Sequence, residues 1–155
     1  MKTVSAIVSS GLLLIVGACA YSNSVLVLNN TPADIDVTIR EVGGSRIVSS
    51  RIKAGNERPL RSDAAGSPEG WEIEISSDNC VWEYNLRNPS GDLWSSRNGS
   101  HLSPREHTTI RVQFEPDRRI YVVPPNTKAP VDVTQAEVYQ FEGFPLQPLS
   151  ETCAQ

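Results

Sequence analysis

Residues 71–86 read WEIEISSDNCVWEYNL, and this stretch decides the fold class. Apolar and polar residues alternate on both sides of the turn-forming letters SDN at 77–79. A period of two is typical of a β-strand with one buried face, and a short turn between two such runs predicts a hairpin. The residues that share the buried face are Trp71, Ile73, Ile75, Cys80, Trp82, Tyr84 and Leu86.

Similar short runs occur on both sides of this hairpin. Residues 34–41 (DIDVTIRE) alternate cleanly, and Gly43-Gly44 predicts a turn into the run that follows. About seven or eight short strands separated by turns predict an all-β fold, either a small antiparallel sandwich or a barrel. The other predicted strands lie at 24–29, 46–52, 93–95, 108–114 and 119–123.

Two segments have no clear strand pattern. Residues 53–70 contain three glycines and two prolines, which predict a long polar loop. Residues 131–141 fit either a last strand or a short helix, because Thr134 and Glu137 have the spacing of a capping box. Long loops in small domains are often functional, so the loop at 53–70 is one candidate surface for a partner.

The first 18 residues have the layout of a signal peptide. A positive charge at Lys2 precedes an apolar stretch at 11–16, and small residues close the segment. This order is typical of an export signal and is too short for a membrane-spanning helix. We therefore predict a removed leader at 1–18 and a single β-rich domain at 19–155, with a proline-rich C-terminal segment.

The end of the leader, Val16-Gly17-Ala18-Cys19, resembles the lipobox of bacterial lipoproteins. That resemblance implies cleavage before Cys19, a diacylglyceryl group on its sulfur and a further acyl chain such as palmitate on the new amino terminus. In such proteins an aspartate after the cysteine retains the chain at the inner membrane. Ala20 stands there instead, which implies the outer membrane, with the domain in the periplasm. Ala18-Cys19-Ala20 also fits a cleavage site that leaves Tyr21 first and no anchor.

The two remaining cysteines, Cys80 and Cys153, form an even pair in an oxidising compartment, which predicts a disulfide. The bridge would tie the C-terminal residues 150–155 back to the domain. On the chain-entropy model, a loop of this length restricts the unfolded chain by about 4 kcal/mol.

Composition argues against several classes of function. The chain has 18 acidic and 14 basic residues and a formal net charge of −4, whereas nucleic-acid binders present a basic face. The sequence has no G-x-S-x-G, H-E-x-x-H, P-loop or dinucleotide motif. We interpret His101 and His107, with Glu106, as surface residues. We expect no enzymatic activity, cofactor, metal or nucleic-acid partner.

The second candidate surface for a partner comprises Trp94, Arg97 and His101, and the alternative for Trp94 is packing in the core, the commoner role of a tryptophan. Trp94 follows the turn-forming letters NPSGD at 88–92, and an exposed tryptophan beside an arginine is a common binding anchor. Trp71, Trp82 and Tyr84 belong to alternating runs and are expected in the core.

Three functions fit these observations. We expect a membrane-anchored envelope lipoprotein whose β-domain binds another envelope protein. One alternative is an inhibitor of an exogenous hydrolase such as lysozyme. Ser90-Gly91 resembles the Ser-Gly loop of lipoproteins that inhibit lysozyme, and an acidic chain complements a basic enzyme. The other alternative is an enzyme acting on envelope glycan or peptide, with catalytic groups drawn from Asp92, Glu106, His101 and His107.

Overall fold

The computed structural model describes residues 22–42, 47–62, 70–87, 95–96, 107–124, 127–134 and 143–154. In these residues the chain is all-β, with two sheets packed face to face as a sandwich that is not closed into a barrel. The predicted fold class is confirmed. The strands are β1 (Ser22–Asn29), β2 (Ile35–Glu41), β3 (Ile47–Ile52), β4 (Glu57–Ser62), β5 (Gly70–Ser77), β6 (Cys80–Arg87), β7 (Ser95–Ser96), β8 (His107–Phe114), β9 (Ile120–Val122) and β10 (Ser150–Cys153).

The first sheet, sheet A, is built around β1. This strand pairs with β4 on one side and with β8 on the other, in the order β4-β1-β8. The β1–β8 pair is parallel, which a purely antiparallel sandwich would not contain. The second edge of β8 is shared by two short strands, because β7 pairs with its first half and β9 with its second half.

The second sheet, sheet B, has the order β10-β6-β5-β2-β3 and is antiparallel throughout. The hairpin predicted at 71–86 is its centre, formed by β5, the turn at Asp78 and Asn79, and β6. Both turn residues have positive φ, 50° and 68°, which Asp and Asn tolerate better than other residues with a side chain.

The core lies between the sheets and contains the predicted buried faces. Trp71, Trp82 and Tyr84 are its largest side chains, each at most 2% exposed. The edge of the Tyr84 ring meets Phe114 of sheet A, with ring centroids 6.4 Å apart. The remaining members of the core cluster are Val25, Val27, Ile35, Val37, Ile39, Ile52, Leu60, Ile73, Ile75, Leu86, Ile110, Val112, Ile120 and Val122.

The predicted loop at 53–70 is wrong in its first half, because β4 occupies Glu57–Ser62 and pairs with β1. Of residues 57–61 in this strand, Leu60 alone is buried, since β4 lies at the edge of sheet A, and so the strand shows no clear alternation. Pro59 also pointed to a loop, yet proline is tolerated in an edge strand. Residues 63–69 lie outside the described residues.

On both sides of the sandwich, the chain crosses from one sheet to the other. On one side the chain leaves β3 in sheet B and enters β4 in sheet A through the turn at 53–56. On the other side Leu146 exchanges two backbone hydrogen bonds with Ile120 of sheet A, at 2.8 and 3.1 Å. The same segment then forms β10 at the edge of sheet B, so residues 146–153 join the two sheets.

The register defines two ends of the sandwich. Ser22 lies opposite His107 and Asn23 opposite Ser62, and this end, where β1 begins, is called the entry end. At the other end, the far end, β1 finishes at Asn29. The turns at 30–34, 53–56, 78–79 and 115–119 all lie at the far end.

Asn29 holds two far-end turns together. Its side chain is fully buried, and Nδ2 donates to the carbonyl oxygens of Ala33 and Ile52 at 2.7 and 3.1 Å. Its Oδ1 accepts hydrogen bonds from the backbone N–H and the hydroxyl of Thr31 at 3.0 and 2.7 Å. Every hydrogen-bonding position of this amide is therefore occupied, as burial requires.

The outer face of sheet A is partly covered by residues 127–134. Gln113, fully buried, accepts a hydrogen bond from the Val131 N–H at 2.8 Å and donates one to its carbonyl oxygen at 2.9 Å. The Gln113 amide also donates to the buried carboxylate of Glu115, and Asn30 Nδ2 donates to it at 2.8 Å. Burial raises the pKa of Glu115, and these two hydrogen bonds oppose that increase.

Within the described residues, no helix has the length and apolar character that crossing a membrane requires. Residues 131–134 do not form a strand, and residues 135–142, where a helix or a last strand was expected, lie outside the described residues.

Candidate functional site

The outer face of sheet B presents every second residue of its strands to solvent. The register aligns these outward residues into rows that cross the sheet. The middle row is Ser49, Thr38, Glu74, Glu83 and Ser150. The next row towards the entry end is Ile47, Arg40, Glu72 and Asn85.

A groove of about 350 Å³ runs across these two rows. Its floor is the backbone of β2, β5 and β6, and its walls are mostly polar. The lining residues are Thr38, Arg40, Glu72, Ile73, Glu74, Glu83, Tyr84, Asn85 and Leu149.

Three pairs of polar side chains in and around the groove are joined across neighbouring strands. Arg40 on β2 pairs with Glu72 on β5 at 3.6 Å, and the Ser150 hydroxyl donates to Glu83 at 2.8 Å. Thr38 and Ser49 share a hydrogen bond of 3.0 Å between their hydroxyls. These contacts give the walls a defined shape, although each exposed pair contributes less than about 1 kcal/mol.

Glu74 is the exception to this pattern of complementary pairs. It lies directly opposite Glu83 in the β5–β6 ladder, and directly opposed Cβ atoms in such a ladder are about 5 Å apart. Like charges in this position destabilise a sheet. Within the described residues, Glu74 forms no ion pair, and its carboxylate accepts no hydrogen bond. The groove therefore holds an uncompensated negative charge at its centre.

Two exposed apolar side chains lie on the same face of sheet B, one lining the groove and one on the strand beside it. Leu149 is 72% exposed and lines the groove where the chain enters β10. Ile47, 53% exposed, lies on β3 opposite Arg40. An acidic centre between two apolar side chains is suited to bind an extended segment that carries both basic and apolar residues.

The lining residues of the groove do not include a nucleophile beside a general base. Two of them carry a side-chain hydroxyl: that of Thr38 is bonded to Ser49, and that of Tyr84 to the Arg118 carbonyl oxygen. Acid–base catalysis needs a titrating group within hydrogen-bond reach of the nucleophile.

The predicted disulfide is present. Cys80 and Cys153 are bonded, with an S–S distance of 2.02 Å, and they lie opposite each other in the β6–β10 ladder. Among the described residues, the one cluster with the composition of a metal site is these two cysteines with Glu151, and both sulfurs are already joined to each other.

Other predicted site residues fall outside the described residues. These are Cys19, the expected point of lipidation, and Trp94, Arg97 and His101, the expected partner anchor. The same holds for Ser90-Gly91 of the hydrolase-inhibitor hypothesis and for Asp92 and Glu106 of the enzyme hypothesis. These assignments stay predictions.

A second polar cluster lies at the side of the sandwich near β10. The Arg118 guanidinium stacks on the Trp82 ring, 4.5 Å from its centroid, and the Tyr84 hydroxyl donates to the Arg118 carbonyl oxygen at 2.8 Å. Arg118 has a φ of 66°, an uncommon value for a residue with a side chain. Burial raises the pKa of Tyr84, although the positive charge of Arg118 opposes that increase. This cluster fixes the β8–β9 turn.

No protein-family model and no curated protein sequence matches this chain. Its function is therefore inferred from its own residues and geometry.

The sequence alone predicts which residues of β5 and β6 line the groove, but not how the strands pair. Alternation in the two runs at 71–86 predicts that Glu72, Glu74, Glu83 and Asn85 point away from the core. Two other features depend on strand pairings that a single sequence does not reveal. One is the register that places Glu74 opposite Glu83, and the other is the position of Leu149 beside β6.

Proposed function

We propose that this protein is a lipid-anchored component of the bacterial cell envelope whose sandwich binds a partner protein. The outer membrane is the proposed site of the anchor, with the domain in the periplasm. The leader and Cys19 support the anchor, and the groove on sheet B supports the binding role. The observation that carries the proposal is the unpaired Glu74 opposite Glu83 at the centre of the groove.

The physical argument concerns the free energy of the fold. A like-charge pair in the middle of a sheet lowers stability, and an uncharged residue at either position would remove that penalty. Sites that bind often keep such locally unfavourable arrangements, because a ligand of opposite charge relieves them. A basic segment placed in the groove would supply the missing positive charge.

The partner segment would be extended, with lysine or arginine next to apolar residues. Basic groups would meet Glu74 and Glu83, while apolar groups would cover Leu149 and Ile47. Electrostatic attraction of this kind mainly increases the association rate and the specificity, and it weakens as salt is added.

A binding assay with defined peptides tests this function. A labelled short peptide of alternating lysine and valine should bind the mature domain in low salt, and a peptide of alternating glutamate and valine should not. Glu74→Gln should weaken binding about two- to fivefold, the effect of one exposed charge pair. Asp36→Asn is the matched control, since it removes one charge from the same sheet face outside the groove.

Two results would contradict the proposal. One is equal affinity for the acidic and basic peptides, and the other is an equal loss of affinity in both variants, which would reflect net charge alone. A photo-reactive residue at position 85 then identifies the natural partner in living cells, with the same residue at position 116, at the far end, as the negative control.

The acidic groove also favours a second candidate function, inhibition of a basic hydrolase such as lysozyme. Charge complementarity would favour binding of a basic partner segment and binding of a basic hydrolase equally, so only an assay of hydrolase activity distinguishes the two roles. Inhibition of lysozyme by the mature domain at micromolar concentration, lost in Glu74→Gln, would establish this role. Full lysozyme activity in the presence of the domain would exclude it.

A further inference from the structure

The chain leaves very little length between the proposed acyl site and the sandwich. Three peptide steps separate Cys19 from Ser22, the first residue of β1. A fully extended chain advances by at most about 3.6 Å per residue, so these two Cα atoms are within about 11 Å of each other. An acyl chain buried in the bilayer would therefore hold Ser22 close to the membrane surface.

Because the connection is short, the position of β1 in sheet A limits how the domain can be oriented on the membrane. β1 is an inner strand of sheet A, between β4 and β8, so the chain enters the middle of the sheet rather than a corner. The register places Ser62 and His107 level with the first two residues of β1. The far end is about 25 Å away along a strand of this length.

The limit on the distance between Cys19 and Ser22 also excludes an orientation in which the outer face of sheet B lies on the bilayer. Packed sheets are about 10 Å apart, and the outward side chains of sheet B add several ångströms. A domain lying on that face would hold Ser22 beyond the reach of the connection. The outer face of sheet A is separated from the bilayer by residues 127–134, which are bonded to Gln113 and Arg111.

The charge of the entry end is consistent with contact to lipid. Arg61 and Arg87 are exposed there, and neither has an ion pair within the part of the chain that the structure describes. Anionic headgroups attract arginines held at the membrane surface.

We propose that the entry end of the sandwich rests on an anionic bilayer, with Arg61 and Arg87 at the headgroups. This inference rests on the proposed lipid anchor and adds the orientation of the domain. The groove on sheet B and the far-end turns then face the aqueous compartment, where a partner protein can reach them.

Short-range fluorescence quenching tests the orientation in the intact acylated protein. The protein is placed in vesicles that contain anionic lipid and a lipid with a nitroxide on its headgroup. A fluorophore is attached at Val42→Cys, at the entry end, or at Ala54→Cys, at the far end. Quenching should be at least threefold stronger at position 42 than at position 54. Inserting a glycine- and serine-rich stretch between Tyr21 and Ser22 should remove most of this difference.

A charge test accompanies the positional test. The double variant Arg61→Glu with Arg87→Glu should reduce quenching at position 42, whereas Lys53→Glu, at the far end, should leave it unchanged. Equal quenching in the double variant and the parent would overturn the role of the two arginines.

The mass of the purified protein separates the two possible failures. A protein without acyl chains would refute the anchor itself, and with it the proposed function. An acylated protein with equal quenching at both positions, or stronger quenching at position 54, would refute only the orientation.

Discussion

Asn29 and Glu115 show how differently a neutral and a charged side chain behave once buried at the same end of the sandwich. The amide of Asn29 finds a partner for each of its four hydrogen-bonding positions. The carboxylate of Glu115 receives hydrogen bonds from Asn30 and Gln113, yet burial still raises its pKa. Asn29 stabilises the far end at any pH, whereas the contribution of Glu115 to the free energy of unfolding depends on whether its carboxyl group is protonated.

Replacing Asn29 tests the first arrangement. Asn29→Ala removes four hydrogen bonds and leaves the carbonyl groups of Ala33 and Ile52 without this donor, so the free energy of unfolding should fall by about 3 kcal/mol. Urea denaturation measures the change. Asn56→Ala, at an exposed position in a neighbouring turn, is the control and should change stability by less than about 0.5 kcal/mol. A similar effect of both variants would contradict the assigned role.

The raised pKa of Glu115 predicts the sign of a pH dependence. A carboxyl group whose pKa is higher in the folded state stabilises the fold most below its unfolded pKa of about 4.5. That contribution is lost as the pH rises through the folded pKa. Glu115→Gln removes it, so the stability of the variant relative to the parent should increase from pH 4 towards neutrality. Urea denaturation across that range measures this difference, and a difference independent of pH would contradict the prediction.

At the scale of the elements, β10 is an exposed strand that one covalent bond ties to the sheet. All four of its residues are exposed, and among the described strands it pairs with β6 alone. The disulfide joins its last residue to the first residue of β6. β10 therefore contributes hydrogen bonds to the sheet but little buried surface of its own.

Removing this bond should release the strand and destabilise the domain. Cys80→Ser with Cys153→Ser should lower the free energy of unfolding by about 4 kcal/mol on the chain-entropy model. Hydrogen exchange at residues 150–153 should accelerate more than exchange in β5. Treating the parent protein with a reductant should reproduce both effects. Unchanged protection of β10 in the variant would show that backbone pairing alone holds the strand.

The opposed glutamates of β5 and β6 predict a stabilising substitution. Glu74→Lys replaces a like-charge pair with a cross-strand ion pair to Glu83, so the free energy of unfolding should rise by about 0.5 kcal/mol. Glu74→Gln, which only removes the repulsion, should fall between the parent and the lysine variant. Thermal denaturation at low salt orders the three proteins, and a less stable lysine variant would contradict the argument.

The elements divide into those that local sequence reveals and those that only pairing reveals. β2, β5, β6 and β8 alternate clearly, because each has apolar residues on its core face and mostly polar residues on its other face. β4 and β10 are edge strands with one buried apolar residue or none, so neither has a readable period. The parallel pairing of β1 with β8 joins segments about eighty residues apart, which alternation within a segment cannot specify.

At the scale of the whole molecule, the proposed anchor and the groove belong to one arrangement. The anchor would fix the entry end at the bilayer, and the short connection would keep the face that carries the groove off the membrane. Such a protein would act as a fixed receptor close to the membrane, since only Ala20 and Tyr21 separate the proposed acyl site, Cys19, from β1.

Intact mass of the protein purified from its native membrane tests the anchor. A mass that begins at Cys19 plus acyl chains is expected, and it should rise by two hydrogens on reduction of the Cys80–Cys153 bond. An unmodified chain that begins at Tyr21 would refute the anchor. The binding function would then concern diffusible partners.

The topology of sheet A also has a consequence for how the protein is made. If the chain is exported as proposed, β1 would be the first strand of the domain to cross the membrane, yet one of its two neighbours, β8, begins only at His107. Sheet B would likewise be incomplete until residues 150–153 had been translocated. The two sheets could then not be completed until most of the chain had been exported, and the Cys80 thiol would be exposed to an oxidant in the periplasm before Cys153 arrived.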